Sequence, residues 1–175
     1  MGYEEHKRLS SQRRARCAVL TISDTRTEED DESGKAMVEK LKEAGHSVSF
    51  YKVVKNDRAS LKRAIEELLG SPEVDAVLTT GGTGIGAKDV TIEVASEIVE
   101  KRLEGFGEIF RALSYKEIGS GAIMSRAMMG VSRGKVLACM PGSRKAVELA
   151  VGLLAPELGH ILWEAGRSSS GQSTP

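Results

Sequence analysis

The chain has 175 residues, 40% of them hydrophobic and 29% charged, an ordinary composition for one globular domain with a sizeable core. Its 25 basic and 25 acidic residues cancel, so no broad basic field argues for nucleic acid, and no apolar run approaches the ~18 residues that a membrane span needs. Aromatic residues make up only 4%, so the core must be aliphatic.

Residues 1–15 are polar and basic and lack the apolar centre of a secretory signal, so a mobile tail is predicted. A phosphate contact from Arg13, Arg14 and Arg16 is the alternative use of that segment. Ala15 to Ser23 is an unbroken apolar run with β-branched residues, the pattern of a strand buried on both faces. Asp24 and Thr25 follow at its carboxyl end, where open α/β sheets bind ligands. The acid run Glu28 to Glu32 reads as a solvated loop, with a metal-attracting or lid segment as the other reading. Ser33 can cap a helix from Gly34 to Ala44, stopped by Gly45. Val48 to Val54 is the second strand. Asn56 and Asp57 follow it and precede a helix with Leu61, Ala64, Ile65, Leu68 and Leu69 on one face, and either polar residue can serve as a plain helix cap.

Strand three, Val74 to Thr80, delivers the most informative stretch, TTGGTGIGAKDVT, which ends where a helix from Thr91 to Lys101 begins. A strand, a glycine loop and a helix start make an anion site, because backbone N–H groups point outward and the helix dipole favours negative charge. Farther on, Phe106, Ile109, Phe110 and Leu113 form one helical face that suits the core or a subunit contact. Ser114 to Ser125 reads as loop plus short helix, and Ser125-Arg126 as the start of a helical turn. Lys135 to Met140 is another buried strand. Pro141-Gly142-Ser143 then opens a helical region punctuated by Pro156, which makes a second strand, tight turn and helix start. Ser168 to Pro175 is a Ser/Gly-rich tail, predicted to be disordered. Cys17 and Cys139 lie in apolar runs and read as buried free thiols; with His6, His46 and His160 scattered, no zinc site is expected. A cytoplasmic protein follows.

The alternation of strand and helix predicts an α/β domain over residues 16–167, with a mostly parallel sheet, right-handed crossovers and helices on both faces. Asp24, Asn56-Asp57 and the glycine loop then share one sheet edge. The loop is not a Walker motif, because Lys88 comes late and is followed by Asp89. A dinucleotide fingerprint on Gly82, Gly84 and Ala87 fails too, since Glu104 lies beyond a helix rather than at a strand end. What remains is a phosphorylated ligand with a divalent metal, Asp89 helping to hold Mg²⁺.

These residues also carry a resemblance. TTGGTG (79–84) with Asp89 and Thr91, TISDTR (21–26), EEDDESG (28–34), EGFGEIFRALSYKEIG (104–119), SRA (125–127) and MPGSRKAVELA (140–150) resemble the molybdenum cofactor biosynthesis proteins, which include MogA, MoaB and a domain of gephyrin. The likeness spans residues 16–165 and is nearer to MoaB. It implies a three-layer α/β/α molybdopterin-binding fold. It further implies a molybdenum or tungsten cofactor pathway in which molybdopterin is adenylylated with Mg-ATP and pyrophosphate is released, or alternatively a non-catalytic molybdopterin carrier. A homo-oligomer, trimer or hexamer, working with other cofactor-biosynthesis proteins, is implied as well, with no nucleic acid or membrane partner.

Carried over residue by residue, Asp89 is the signature acid that holds Mg²⁺, and Thr80, Gly81, Gly82, Thr83 and Gly84 cradle phosphate. Pro141, Gly142 and Ser143 form the turn that meets the pterin or its phosphate. Ser125 matches a serine near the pterin, and Asp24 an acid that orders the site. One departure stands out. MogA-like enzymes have a second acid after strand two, where this chain reads Lys55-Asn56-Asp57. A gapless match puts Asn56 at that acid, with Asp57 one place on as a catalytic substitute.

Overall fold

Six strands form one sheet in the computed structural model, which describes residues 2–10 and 13–167. In chain order they are β1 (Arg16–Ile22), β2 (Ser47–Val54), β3 (Ala76–Thr80), β4 (Lys101–Arg102), β5 (Met128–Ser132) and β6 (Lys135–Met140). Their spatial order is β2-β1-β3-β6-β5-β4, with β2, β1, β3 and β6 parallel and β5 and β4 forming an antiparallel edge. The helices are α1 (Tyr3–Ser10), α2 (Glu32–Glu43), α3 (Arg58–Gly70), α4 (Thr91–Ile98), α5 (Glu104–Ile118) and α6 (Arg144–Gly166), with a 3-10 turn at Gly119–Met124 after α5.

Strand β1 is buried from Cys17 through Ile22, as a central parallel strand with covered faces must be. Its side chains alternate between two cores. Cys17 and Val19 join Met37 and Leu41 of α2, Phe106 and Phe110 of α5, and Leu154 and Leu158 of α6. Ala18, Leu20 and Ile22 face the other way, onto Leu61 and Ile65 of α3 and Val94 of α4. Each fully buried Leu or Ile contributes about 1.5–3 kcal/mol. The two faces follow from handedness. The connection β1–α2–β2 moves outward on the sheet and β2–α3–β3 moves back across β1, so right-handed crossovers must place α2 and α3 on opposite faces. Successive connections therefore diverge between β1 and β3, and a crevice opens at their carboxyl ends.

Several local readings differ from the structure. Within the segment expected to be a mobile tail, Tyr3–Ser10 forms α1, which packs against α6, with Tyr3 edge-on to His160 at 5.6 Å between ring centres. Asp31, not Ser33, caps α2, accepting from Gly34 N at 3.0 Å. Asp31 is wholly buried, so the acid run is not uniformly solvated. Helix α4 stops at Ile98 because the chain turns outward to pair β4 with β5, Glu100 N donating to Val131 O at 3.0 Å. Helix α5 runs on to Ile118 before its 3-10 turn, and Ser125 follows that turn instead of starting a helix. Strand β5 has no strong β-branched pattern, and its hairpin to β6 turns on Arg133 and Gly134, both at positive φ, in place of the usual Asn-Gly. Helix α6 runs unbroken through Pro156; the carbonyl it deprives of a donor, on Gly152, belongs to an exposed residue that water can reach. By length and composition α6 could cross a membrane, yet Val147, Ala150, Val151, Leu154, Leu158 and Leu162 are buried as a core helix. The predicted tail Ser168 to Pro175 lies outside the described residues. Cys17 and Cys139 are free and buried, and burial pushes each thiol up to about 12.

Candidate active site

At the end of β3 the backbone turns through Gly81 and Gly82, with φ of +96° and +64°. Side chains are excluded there by space as well as by conformation. A Cβ on Gly81 would collide with the carbonyl oxygen of Ile22 at the end of β1, and one on Gly82 with Thr91 Oγ1, while standing 2.9 Å from Asn56 Oδ1. The loop is closed from below by Thr91, whose N–H donates to Gly82 O and whose hydroxyl donates to Gly81 O, both at 3.0 Å. Asp89 folds back over it: Gly86 N–H donates to its carboxylate at 3.1 Å, and its own N–H donates to Gly86 O at 3.0 Å. The N–H groups of Gly82, Thr83, Gly84 and Ile85 have no acceptor among the described residues. Together they form a row of donors of the kind that binds phosphate.

Arg126 braces the loop from outside. Its Nε donates to Thr83 O at 2.9 Å and its Nη2 to Gly84 O at 2.8 Å, while Nη1 pairs with Glu93 in the first turn of α4. The hydrogen bond from Arg126 holds the Glu93 carboxyl below its ordinary value, and the same bond raises the guanidinium. Sequence reasoning gave Arg126 no site role. The only signal was its place in the SRA segment, since a contact across 42 residues leaves no local pattern.

The polar residues after β1 and β2 meet this loop. Asn56 N–H donates to Asp24 Oδ1 at 3.0 Å, and Lys88 Nζ lies 3.9 Å from Asp24 Oδ2. Asn56 Oδ1 is buried beside Gly82 without a hydrogen-bond partner among the described residues. Asp57, one residue on, is the N-cap of α3 and accepts from Ser60 N at 2.9 Å. That bond, first among several, holds its carboxyl below the usual range.

The second turn is sewn to the first. Gly81 N–H donates to Met140 O at 3.1 Å, and the Thr80 hydroxyl to Pro141 O at 2.9 Å. Ser143 caps α6, accepting from Ala146 N at 3.2 Å. Between the ends of β1, β3 and β6 lies an open cavity of about 430 Å³, lined by Thr21, Ile22, Ser23, Thr80, Gly81 and Ser143 among others. Ser125 lies elsewhere, in a cavity of about 280 Å³ beside α5 and β5 that also holds Arg102, Arg111 and Arg126. The structure thus gathers Asp24, the loop from Thr80 to Gly84, Asp89 and Pro141 to Ser143 on one sheet edge, with Ser125 in a neighbouring hollow reached past Arg126.

A family model described as a probable molybdopterin binding domain matches residues 18–160. The chain belongs to this molybdopterin-binding family. It is 50% identical over 169 residues to "Molybdenum cofactor biosynthesis protein B" of Bacillus cereus, covering 95% of this chain and 99% of the relative. A "Probable molybdopterin adenylyltransferase" of Methanocaldococcus jannaschii is 38% identical over 164 residues, covering 90% and 96%. Among solved structures, the "tungsten cofactor synthesizing protein MoaB" of Pyrococcus furiosus superposes with a TM-score of 0.81 at 36% identity, covering 87% of this chain and 98% of that one. The three-layer α/β/α molybdopterin-binding fold expected from the resemblance is the fold observed.

Among the described residues, no three His, Cys, Asp or Glu side chains converge as a metal cluster. A Mg²⁺ ion here would therefore need most of its ligands from water or from a bound phosphate. Mg²⁺ keeps several waters and takes one or two carboxylates plus substrate phosphate oxygens; the Asp89 carboxylate beside Gly84 and Gly86 is a ligand of that kind, and the unpartnered Asn56 Oδ1 lies beside Gly82.

Proposed function

We propose that the chain binds molybdopterin and adenylylates it with Mg-ATP, in the synthesis of a molybdenum or tungsten cofactor. A terminal phosphate oxygen of the pterin forms a bond to the α-phosphorus of ATP, the bond from that phosphorus to the bridging oxygen breaks, and pyrophosphate leaves. The observation that carries this reading is the row of unpartnered N–H groups from Gly82 to Ile85, held open by Thr91, Asp89 and Arg126 at the divergence of β1 and β3. Two polyanions must meet there, so catalysis is mainly alignment and charge stabilisation. The loop donors hold phosphate oxygens in line. Pro141, Gly142 and Ser143 present the end of α6 to the pterin side, and Ser125 with Arg102 and Arg111 lines the adjoining hollow. Asp24 orders the strand ends through Asn56 N–H. Asp89 and Asn56 would hold magnesium, which when bound offsets charge on the transferring phosphoryl group.

A second reading, a molybdopterin carrier without turnover, is favoured by one observation. The residue beside Gly82 is Asn56, a neutral amide, and the neighbouring Asp57 caps α3. Incubation with Mg-ATP and fresh molybdopterin separates the two readings. Adenylylated pterin and pyrophosphate in equal amounts support the transferase; tight pterin binding with no product selects the carrier.

The same proposal includes assembly of copies of the chain. Phe106 and Phe110 of α5 are buried in the core, but Ile109, Tyr115, Ile118, Ile123 and Met124 stay exposed along α5 and its 3-10 turn, a face suited to a subunit contact. Metal insertion then falls to a separate protein, and the two buried thiols fit a reducing compartment.

A further inference from the structure

We propose that Arg26 is a binding residue for a ligand phosphate group, seated in the cavity between the ends of β1, β3 and β6. The inference deepens the reading above and rests on it. Arg26 lines that cavity with its side chain 42% exposed. The loop carrying it is pinned, since Thr25 N–H and Arg26 N–H both donate to Ser23 Oγ, at 3.3 and 3.1 Å. Its Nη1 donates to Ser33 Oγ at 3.2 Å, and Ser33 in turn donates to Gly142 O at 2.7 Å, which ties the guanidinium to the turn before α6. Behind it, Asp31 is wholly buried and accepts from Gly34 N at 3.0 Å and from the Tyr51 hydroxyl at 2.7 Å. At 3.7 Å, Asp31 orients Arg26 by charge rather than by a hydrogen bond.

This leaves Nε and Nη2 of Arg26 without a protein acceptor among the described residues. A planar fork of N–H donors, pre-set by a buried acid, matches two oxygens of a phosphate group better than a flexible ammonium would. Thr21, which lines the same cavity, has its Oγ1 buried against Gly34 beside Asp31, with no hydrogen-bond partner among the described residues. The other nearby cations are less suited: Arg126 is held by Glu93 and two loop carbonyls, and Lys88 is 84% exposed.

The group bound is the terminal phosphate of the pterin or a phosphate of the nucleotide, and calorimetric titration can separate them. Molybdopterin and ATP are each titrated into wild type, Arg26→Ala and Arg26→Lys, with a thermal melt of every variant. Arg26→Ala is expected to weaken one ligand by about tenfold or more, the usual effect of losing hydrogen bonds to a charged group. Arg26→Lys should fall between, keeping charge without the fork. Loss confined to molybdopterin assigns Arg26 to the pterin phosphate, and loss confined to ATP assigns it to the nucleotide. Should Arg26→Ala fail to melt cooperatively, Arg26→Lys carries the test. Unchanged affinity for both ligands in the folded variants overturns the proposal, as does a wild type that binds neither. A wild type that binds pterin without turning it over refutes the transferase alone and leaves the Arg26 comparison readable.

Discussion

Asn56 and Asp57 are adjacent and chemically close, yet the fold separates their work. The end of β2 brings Asn56 Oδ1 to Gly82, and the start of α3 takes Asp57 as its cap. Asn56→Asp, by adding a charged oxygen ligand beside the loop, is expected to raise adenylyl transfer; a drop in kcat at saturating magnesium would count against a metal-side role for this position. Asp57→Ala is expected to lower the melting temperature and leave transfer unchanged. Its folded carboxyl titrates below the unfolded value, so the cap stabilises above the unfolded pKa and weakens as pH falls through the folded one. Loss of turnover in Asp57→Ala would return that residue to the site. Sequence alone left the pair undecided because one residue of offset after a strand cannot be read without the backbone. Arg126 and Arg26 were less legible still, because each acts through carbonyls or side chains supplied by other elements.

At the level of elements, the glycine loop and its braces form one unit. Arg126→Ala removes both bonds to loop carbonyls and is expected to cut kcat/KM by about tenfold or more, with only a modest fall in melting temperature, since the pair with Glu93 is partly exposed and screened by solvent. Glu93 titrates below its ordinary value in the fold, so its contribution is complete above the unfolded pKa and disappears as pH falls through the folded one. Stability measured against pH should therefore fall less steeply in acid for Glu93→Gln than for wild type. The start of α2 is a second such unit. A Cβ on Gly34 would run into the Asp31 carboxylate and Thr21 Oγ1, so Gly34→Ala is expected to cost about 1–3 kcal/mol in denaturant melts. The apolar strands β1, β3 and β6 and the glycine stops were legible because burial on both faces and positive φ leave direct marks in composition. Strands β4 and β5 were not, since two residues pair at the sheet edge and Met128-Met129-Gly130 carries little β preference. The buried acid in the run Glu28 to Glu32 was hidden by its solvated neighbours.

For the whole molecule, strand order decides where chemistry can occur. Divergence of the chain between β1 and β3 opens the crevice, and the joining of Gly81 to Met140 and Thr80 to Pro141 brings the end of β6 into it. The alternation of elements makes this edge legible in the sequence, whereas the hollow around Ser125 depends on the return of α5 and β5 and leaves no local pattern. The exposed face of α5 belongs to this scale too. Sedimentation is expected to show an assembly larger than a monomer, shifted toward monomer by Ile109→Glu with Ile118→Glu; a monomeric wild type at micromolar concentration would remove the subunit contact. The most direct test of the site is a single-turnover transfer assay with Mg-ATP and molybdopterin, wild type beside Asp89→Ala, both confirmed folded. Stoichiometric adenylylated pterin in wild type, reduced about a hundredfold or more in the variant, is the expected result. Equal product from both would contradict the assignment of the chemistry to the glycine loop.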